Sequence, residues 1–295
     1  MRGTKPGRAL EERLTRDRVI HPGEHVLVAC SGGSDSVALA GLLSALAKPL
    51  QLTLTLGHVN HGIRPSAWQD EAVVMAVSAT LDLPLKVAAP QLRQRDEATL
   101  RDARYAALAA MSLEAGARVV ATAHTASDQT ETILLALFRG TGVEGLTGMP
   151  ARRAMTNEAD LARPLLRMER DELRSYAAAA GLPFAIDPTN ADRTLRRNAV
   201  RAALEGLRPL FPGLDAAVSR AAEVVSAELG GTPSAAARRQ VREALREHRV
   251  LAGVDFEHIE AAVRALQRGS SGRFFMGSGV EIEVENGAFV VHAKR

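Results

Sequence analysis

The sequence predicts an α/β protein: a parallel sheet with helices on both faces, then a smaller, mainly helical region ending in short strands. Three observations lead there. Apolar runs of strand length, partly β-branched, alternate with helical apolar periodicity through the first two thirds of the chain. Polar clusters follow those runs at Ser31, His58 and His124, at the carboxyl ends of strands, where open parallel sheets bind ligands. Beyond Leu210 the strand signal gives way to alanine- and arginine-rich helical patterns. The expected division is therefore residues 1–210 and 211–295.

In chain order, a short helix is expected over 11–19. Residues 26–29 (Val-Leu-Val-Ala) form a buried strand that breaks into Ser31-Gly32-Gly33-Ser34, and a helix with apolar positions at Val37, Leu39, Leu42 and Leu43 runs to Lys48. Leu52, Leu54 and Leu56 alternate with Thr53 and Thr55 as a second strand leading into a loop at Gly57-His58. A helix over about 66–81, a strand over 85–88, a helix over 98–115 and a strand over 118–123 complete the alternation. A further helix starts at Ser127, a plausible N-cap, with Ile133, Leu134 and Leu137 on its apolar side. Gly140-Thr141-Gly142-Val143-Glu144-Gly145 fits a dinucleotide fingerprint by letter, but it follows a helix and reads as a loop. A helix over 169–180 closes at Gly181. Residues 213–267 are helical with a linker around Gly230-Gly231-Thr232-Pro233. The tail over 273–292 reads as small strands with Asn286-Gly287 as a hairpin turn.

Composition narrows the class. The chain is 46% hydrophobic and 24% charged, as in globular proteins, and no apolar run reaches membrane-span length. The start, Met1-Arg2-Gly3-Thr4-Lys5-Pro6, lacks an apolar signal core, so the cytoplasm is the expected compartment and no membrane partner is expected. One cysteine, Cys30, excludes an internal disulfide and any Cys-x-x-Cys pair for zinc or an iron–sulfur cluster. The net charge of +3 permits nucleic-acid binding without identifying it.

The organising stretch is Ser31-Gly32-Gly33-Ser34-Asp35-Ser36. A strand running through glycines into a helix N-terminus is an anion site, because the backbone can approach closely and the first-turn N–H groups are free. Ser31, Ser34 and Ser36 add hydroxyls. Asp35 would repel a phosphate unless it serves a cation, so the loop reads as built for phosphate with magnesium. It is not a Walker A loop, because the only lysines are Lys5, Lys48, Lys86 and Lys294.

Further candidates surround it. His58, His61 and His124 lack an acidic or cysteine set at metal-ligand spacing and suit nucleotide contact better than zinc. Asp128 and Glu131, three apart, share one helix face near its N-terminus, fit for capping or for facing the crevice. Arg193, Arg196, Arg197 and Arg201 are nearly unopposed by acids and suit phosphate contact, whereas few aromatics are present for base stacking.

The loop resembles that of the PP-loop ATP pyrophosphatases, which cleave ATP to AMP and pyrophosphate. Within that group the chain resembles the tRNA(Ile)-lysidine synthetase family. The likeness rests on the loop itself and on His58-Val59-Asn60-His61-Gly62-Ile63-Arg64. It extends to Ala123-His124 through Asp128-Gln129-Thr130-Glu131-Thr132 with Arg139-Gly140. Last comes Arg163-Pro164-Leu165-Leu166 through Asp187-Pro188-Thr189-Asn190 to Arg197-Asn198. Together these cover about residues 20–210. The family's His-His-x-Asp-Asp-Gln is altered here, with Thr125 and Ser127 replacing the second histidine and first aspartate.

The resemblance implies an ATP- and Mg²⁺-dependent carbon–nitrogen ligase. Such enzymes join free L-lysine to C2 of the wobble cytidine of an isoleucine tRNA with a CAU anticodon, through an adenylated cytidine, and so convert AUG reading to AUA. It implies Asp35, Asp128 and Arg197 as catalytic residues, Asp35 also as the magnesium contact. Ser31, Gly32, Gly33, Ser34, Asp35, Ser36, His58, Asn60, His61, Arg101 and His124 would bind the nucleotide, with Arg104 a further phosphate contact. Asp128, Glu131, Arg193, Arg196, Arg197, Asn198 and Arg201 would meet lysine or tRNA. The helical region beyond 210 would contact tRNA and leaves room for a homodimer. The alternative is another PP-loop tRNA-modifying enzyme such as a cytidine thiolase, for which a lone cysteine is poorly suited.

Overall fold

Strand-forming residues of the first two thirds assemble into one six-stranded sheet. The structure, a computed structural model, describes residues 5–60, 62, 67–90, 97–185, 196–230, 233–247, 256–277, 280–285 and 288–293. The sheet strands are β1 (His25–Ala29), β2 (Thr53–Val59), β3 (Leu85–Ala88), β4 (Val119–Ala121), β5 (Arg152–Ala154) and β6 (Asp160–Ala162), in the order β3-β2-β1-β4-β6-β5. All neighbours are parallel except β5 on β6. The helices of this part are α1 (Lys5–Asp17), α2 (Ser34–Ala47), α3 (Ala67–Leu81), α4 (Glu97–Ala115), α5 (Ala126–Leu137), α6 (Arg170–Ala179) and α7 (Arg196–Leu207).

Both faces of the sheet are covered. Val26, Val28, Val119 and Ala121 point to one side, into a core shared with Leu39, Leu42 and Leu43 of α2 and Leu173 of α6. The alternate residues Leu27, Ala29 and Val120 point to the other, against Leu108 and Met111 of α4. This two-sided burial is why the strands read as continuous apolar runs.

The structure moves several expected boundaries. β2 runs on through Gly57 and His58, where a loop is expected from sequence, because β2 is paired on both sides: Ala29 lies opposite Gly57 and His58 opposite Val87. Gly57 packs closely there: a Cβ would sit 3.2 Å from the Leu27 side chain, which would have to shift by a few tenths of an ångström. The short, partly charged β5 and β6 carry no apolar alternation and are not expected from sequence. Helix α5 starts at Ala126 with Thr125 rather than Ser127 as N-cap. Helix α1 lies six residues earlier at its start than expected.

The chain divides into two units, one of residues 1–140 with 148–219 and one of 141–147 with 220–295. The division falls inside α8 (Leu214–Leu229). In the second unit, α9 (Pro233–Glu247) and α10 (Phe256–Arg268) pack with an antiparallel sheet of β7 (Gly272–Gly277), β8 (Val280–Glu285) and β9 (Ala288–Ala293). Val280, Ile282 and Val284 of β8 alternate inward to meet Val241, Leu245, Ile259 and Val263. Glu285 pairs with Ala288, while Asn286 and Gly287, the expected turn, lie outside the described residues, as do Gly231 and Thr232. The Gly140–Gly145 stretch leads into a 3₁₀ turn over Val143–Thr147. No described helix is long and apolar enough to cross a membrane.

Candidate active site

The strand order reverses direction between β1 and β4. The chain runs outward from β1 to β2 and β3, then returns to β4 on the other side of β1. Such a switch point opens a crevice at the carboxyl ends of the two strands. A cavity of about 540 Å³ lies there, lined from β1–α2 by Ser31, Gly33, Ser34, Asp35 and Ser36 and from β4–α5 by His124 and Asp128. Arg104 of α4, Arg170, Asp171 and Arg174 of α6, and Arg197 and Arg201 of α7 complete the wall.

The loop is braced from within. Ser36 Oγ accepts the Ser31 N–H at 3.1 Å and donates to the Gly33 carbonyl at 2.9 Å. Gly32, at φ +88°, occupies a conformation that disfavours side chains, and a Cβ there would stand 3.1 Å from the Asp70 carbonyl oxygen. Its own carbonyl accepts the Ala185 N–H at 2.8 Å. Gly33 is the N-cap of α2 with no side-chain cap, so first-turn N–H groups of that helix are left for a ligand.

Asp128 serves the helix and the cavity together. Its Oδ2 accepts the Thr125 N–H at 2.9 Å and the Thr125 hydroxyl at 3.0 Å, while Oδ1 takes Arg170 Nη2 at 2.8 Å. Burial opposes its charge, yet Arg170 and the Thr125 N–H hold it below the usual carboxylate range. Asp35 goes the other way: burial pushes it up, and Asp128 adds to the rise, despite Arg170 Nε 3.4 Å from its Oδ2. His124, next to Thr122 Oγ1 at 3.0 Å, is driven by burial down to about 3 and is a neutral imidazole.

Glu131 is completely buried and does not line the cavity. It accepts Arg197 Nε at 2.9 Å and Arg201 Nε at 2.8 Å, tying α7 to α5. With those two arginines on Glu131 and Arg170 on Asp128, two guanidiniums are left over. Arg104 and Arg174 line the cavity and make no ion pair among the described residues, and burial pushes Arg104 below its ordinary value. Such arginines suit the phosphates of an anionic ligand.

Other sequence candidates fall elsewhere. His58 is buried beneath the loop, donating from Nδ1 to the Cys30 carbonyl at 2.9 Å, with Nε2 unpartnered among the described residues. Asn60 donates to Glu71 at 2.8 Å and accepts the Gly62 N–H at 3.0 Å. Arg101 is exposed, over the Tyr105 ring, and it is Arg104 that faces the cavity. Asn198 is half-buried on α7. His61, Arg193 and the side chain of Arg196 lie outside the described residues. The substituted positions have work to do: Thr125 caps α5, and Ser127 donates to Asp215 at 3.2 Å.

Arg170, Arg174 and Asp171 were not singled out in the sequence. Arg170 pairs with Asp128 across 42 positions, a contact that carries no local signal.

Residues 8–206 match the family model described as the PP-loop domain. The chain belongs to the PP-loop family. It is 42% identical over 209 residues to the tRNA(Ile)-lysidine synthase of Salinispora tropica, covering 69% of this chain and 62% of that one. It is 38% identical to the Thermus thermophilus tRNA(Ile)-lysidine synthase, over 75% of this chain and 43% of that one. The match to the enzyme of that name from Geobacter sulfurreducens is 38% over 78% and 49%. The chain thus spans 43% to 62% of the length of these relatives. Among solved structures, the U34-tRNA thiolase NcsA of Methanococcus maripaludis shares the fold, with a TM-score of 0.61 and 19% identity over 74% of this chain and 77% of that one.

Proposed function

We propose that this PP-loop chain carries the catalytic unit of a tRNA(Ile)-lysidine synthase, ligating lysine to the wobble cytidine of a CAU-anticodon isoleucine tRNA in the cytoplasm. The observation that carries the reading is the switch-point cavity, where a glycine loop with free helix N–H groups faces Arg104 and Arg174, without ion pairs among the described residues, and the carboxylates Asp35 and Asp128. The relatives' names supply the substrate.

In the first step cytidine O2 attacks the α-phosphate of ATP and the bond to the β-phosphate breaks. The loop N–H groups, Arg104 and Arg174 take up charge on the departing pyrophosphate. In the second, the lysine amine bonds to C2, the C2–O2 bond breaks, and AMP leaves with that oxygen. The ammonium must first lose a proton, so the rate should rise from neutral to mildly alkaline pH.

Magnesium fits Asp35. Its carboxylate is pushed up by burial and by the like charge of Asp128, a strain that a cation relieves. Asp35, with Asp128 as neighbour, would hold the magnesium ion. The ion would neutralise phosphate charge. The second unit, with the arginines of α9, is the region we assign to the tRNA body. A thiolase reading is disfavoured because the single cysteine is buried and its thiol is pushed up by burial.

The test is pyrophosphate release with ATP, lysine and CAU-anticodon isoleucine tRNA, omitting each in turn. Labelled lysine entering the tRNA with AMP formed alongside is the expected result. Pyrophosphate release that needs tRNA and ignores lysine would overturn it.

A further inference from the structure

The first turn of α5 carries Asp128, and each of its residues is tied to a group outside the helix. The Ala126 N–H donates to the Met168 carbonyl at 3.0 Å. Asp128 takes Arg170 at 2.8 Å. Between them, the buried Ser127 donates its hydroxyl to Asp215 Oδ2 at 3.2 Å, across 88 positions. Asp215 stands in the first turn of α8 and is itself buried. Its carboxylate is gripped by Arg208, with Nε on Oδ2 at 2.9 Å and Nη2 on Oδ1 at 3.4 Å. Among the described residues, none of α8 belongs to an apolar core cluster. The face that α8 buries in the first unit is polar, with Asp215 and Ser219 one turn apart. Its start is therefore held to α5 by hydrogen bonds rather than by apolar packing.

We propose that Asp215 is a positioning residue of the site: from the start of α8 it fixes Ser127, and with it the backbone that aims Asp128 into the switch-point cavity. The inference rests on the reading above only for the reaction that Asp128 serves. The first turn of a helix is its least secured part, because its N–H groups have no partner within the helix. A hydrogen bond to an ionised acceptor is about twice as strong as a neutral one, so a carboxylate on Ser127 secures that turn better than a neutral group. The same contact limits what position 127 tolerates. An aspartate there would press a second carboxylate against Asp215 in a buried setting, and Arg208 can neutralise only one of them. Positions 127 and 215 thus share one carboxylate, which Arg208 would serve from either side.

The experiment compares wild type with Asp215→Asn, Ser127→Asp and the exchange Ser127→Asp with Asp215→Ser, all as the full chain. Three quantities are read. They are the melting temperature, the kcat and ATP KM of pyrophosphate release with lysine and CAU-anticodon isoleucine tRNA, and the NMR shifts of the His124 ring, which senses the Asp128 charge. The expected result is a kcat about tenfold or more below wild type in each single variant, with the ATP KM within about a factor of two and the His124 signals displaced. The exchange variant should return kcat to within about threefold of wild type and restore the His124 signals. If Ser127→Asp does not fold, Ser127→Ala, which removes only the hydroxyl, takes its place with the same expected loss. An exchange variant no better than the single variants overturns the positioning role. So do single variants that melt lower yet keep wild-type kcat and His124 signals. Wild type that releases no pyrophosphate overturns the ligation reading instead, and the His124 signals then decide the positioning role alone.

Discussion

Glu131 and Arg201 form an ion pair at 2.8 Å in which the carboxylate is wholly removed from solvent. The same carboxylate holds Arg197 at 2.9 Å. Two arginines that line the switch-point cavity thus take their position from one buried acid on a neighbouring helix. Glu131 is a positioning residue in this arrangement.

Removing that acid should therefore cost both stability and activity. Breaking a buried pair from one side costs about 3–5 kcal/mol, because the partner charges stay behind. Glu131→Ala should lower the urea midpoint by an amount in that range, and Glu131→Gln, which keeps an acceptor oxygen, by less. Turnover should fall in both as Arg197 and Arg201 lose their anchor. A denaturation midpoint equal to wild type would sink the clamp.

Asp35 should show the opposite pattern. Its folded pKa is raised by burial, so the folded state binds the proton more tightly than the unfolded chain. Stability from this group is present below the unfolded value of 3.8 and lost as pH rises through the folded value. At neutral pH the charge on Asp35 therefore costs stability. Asp35→Asn should melt at or above the wild-type temperature while losing about 100-fold or more in turnover. A destabilised Asn variant, or an active one, contradicts this account.

His124 is neutral for a stated reason, burial, which brings its pKa to about 3. The unfolded imidazole protonates near 6.5 and the folded one does not, so stability falls as pH drops from about 6.5 toward 3. His124→Gln should flatten that part of the melting-temperature profile relative to wild type. In NMR the His124 ring should show no titration between about pH 5 and 8, unlike an unperturbed histidine. An inflection near 6.5 assigned to His124 would refute it.

The legible part of this molecule was what periodicity and local chemistry dictate. Strand β1, the glycine loop and α2 announce themselves because a run of buried β-branched residues, a turn and an apolar helix each have a local signature. The meeting of Ser31 with His124 followed from a rule about parallel sheets and is seen in the cavity lining. What stayed hidden depends on distant pairing. Gly57 and His58 look like loop until β1 and β3 flank them, and β5 and β6 are three residues each. Charge partners are equally nonlocal. Asp128 and Arg170 are 42 positions apart, and nothing in either neighbourhood says that they meet.

Arg104 offers the most direct check of the proposed phosphate site. It reaches the cavity from α4, on the face of the sheet opposite α2, and makes no ion pair among the described residues. Burial opposes its charge and no ion pair among the described residues depends on it, so removing it should leave the fold intact. A hydrogen bond to a charged partner contributes about 1.5–3 kcal/mol. Arg104→Ala should therefore raise the KM for ATP by about one to two orders of magnitude, with a melting temperature close to wild type. Arg104→Lys should recover only part of the loss, because an ammonium cannot reproduce the two-pronged guanidinium contact with phosphate. Arg101→Ala, three residues away and stacked on Tyr105, is the matched control and should leave the ATP KM unchanged. If Arg101→Ala raises the ATP KM and Arg104→Ala does not, the phosphates lie on the other side of α4 and the cavity is not the nucleotide site.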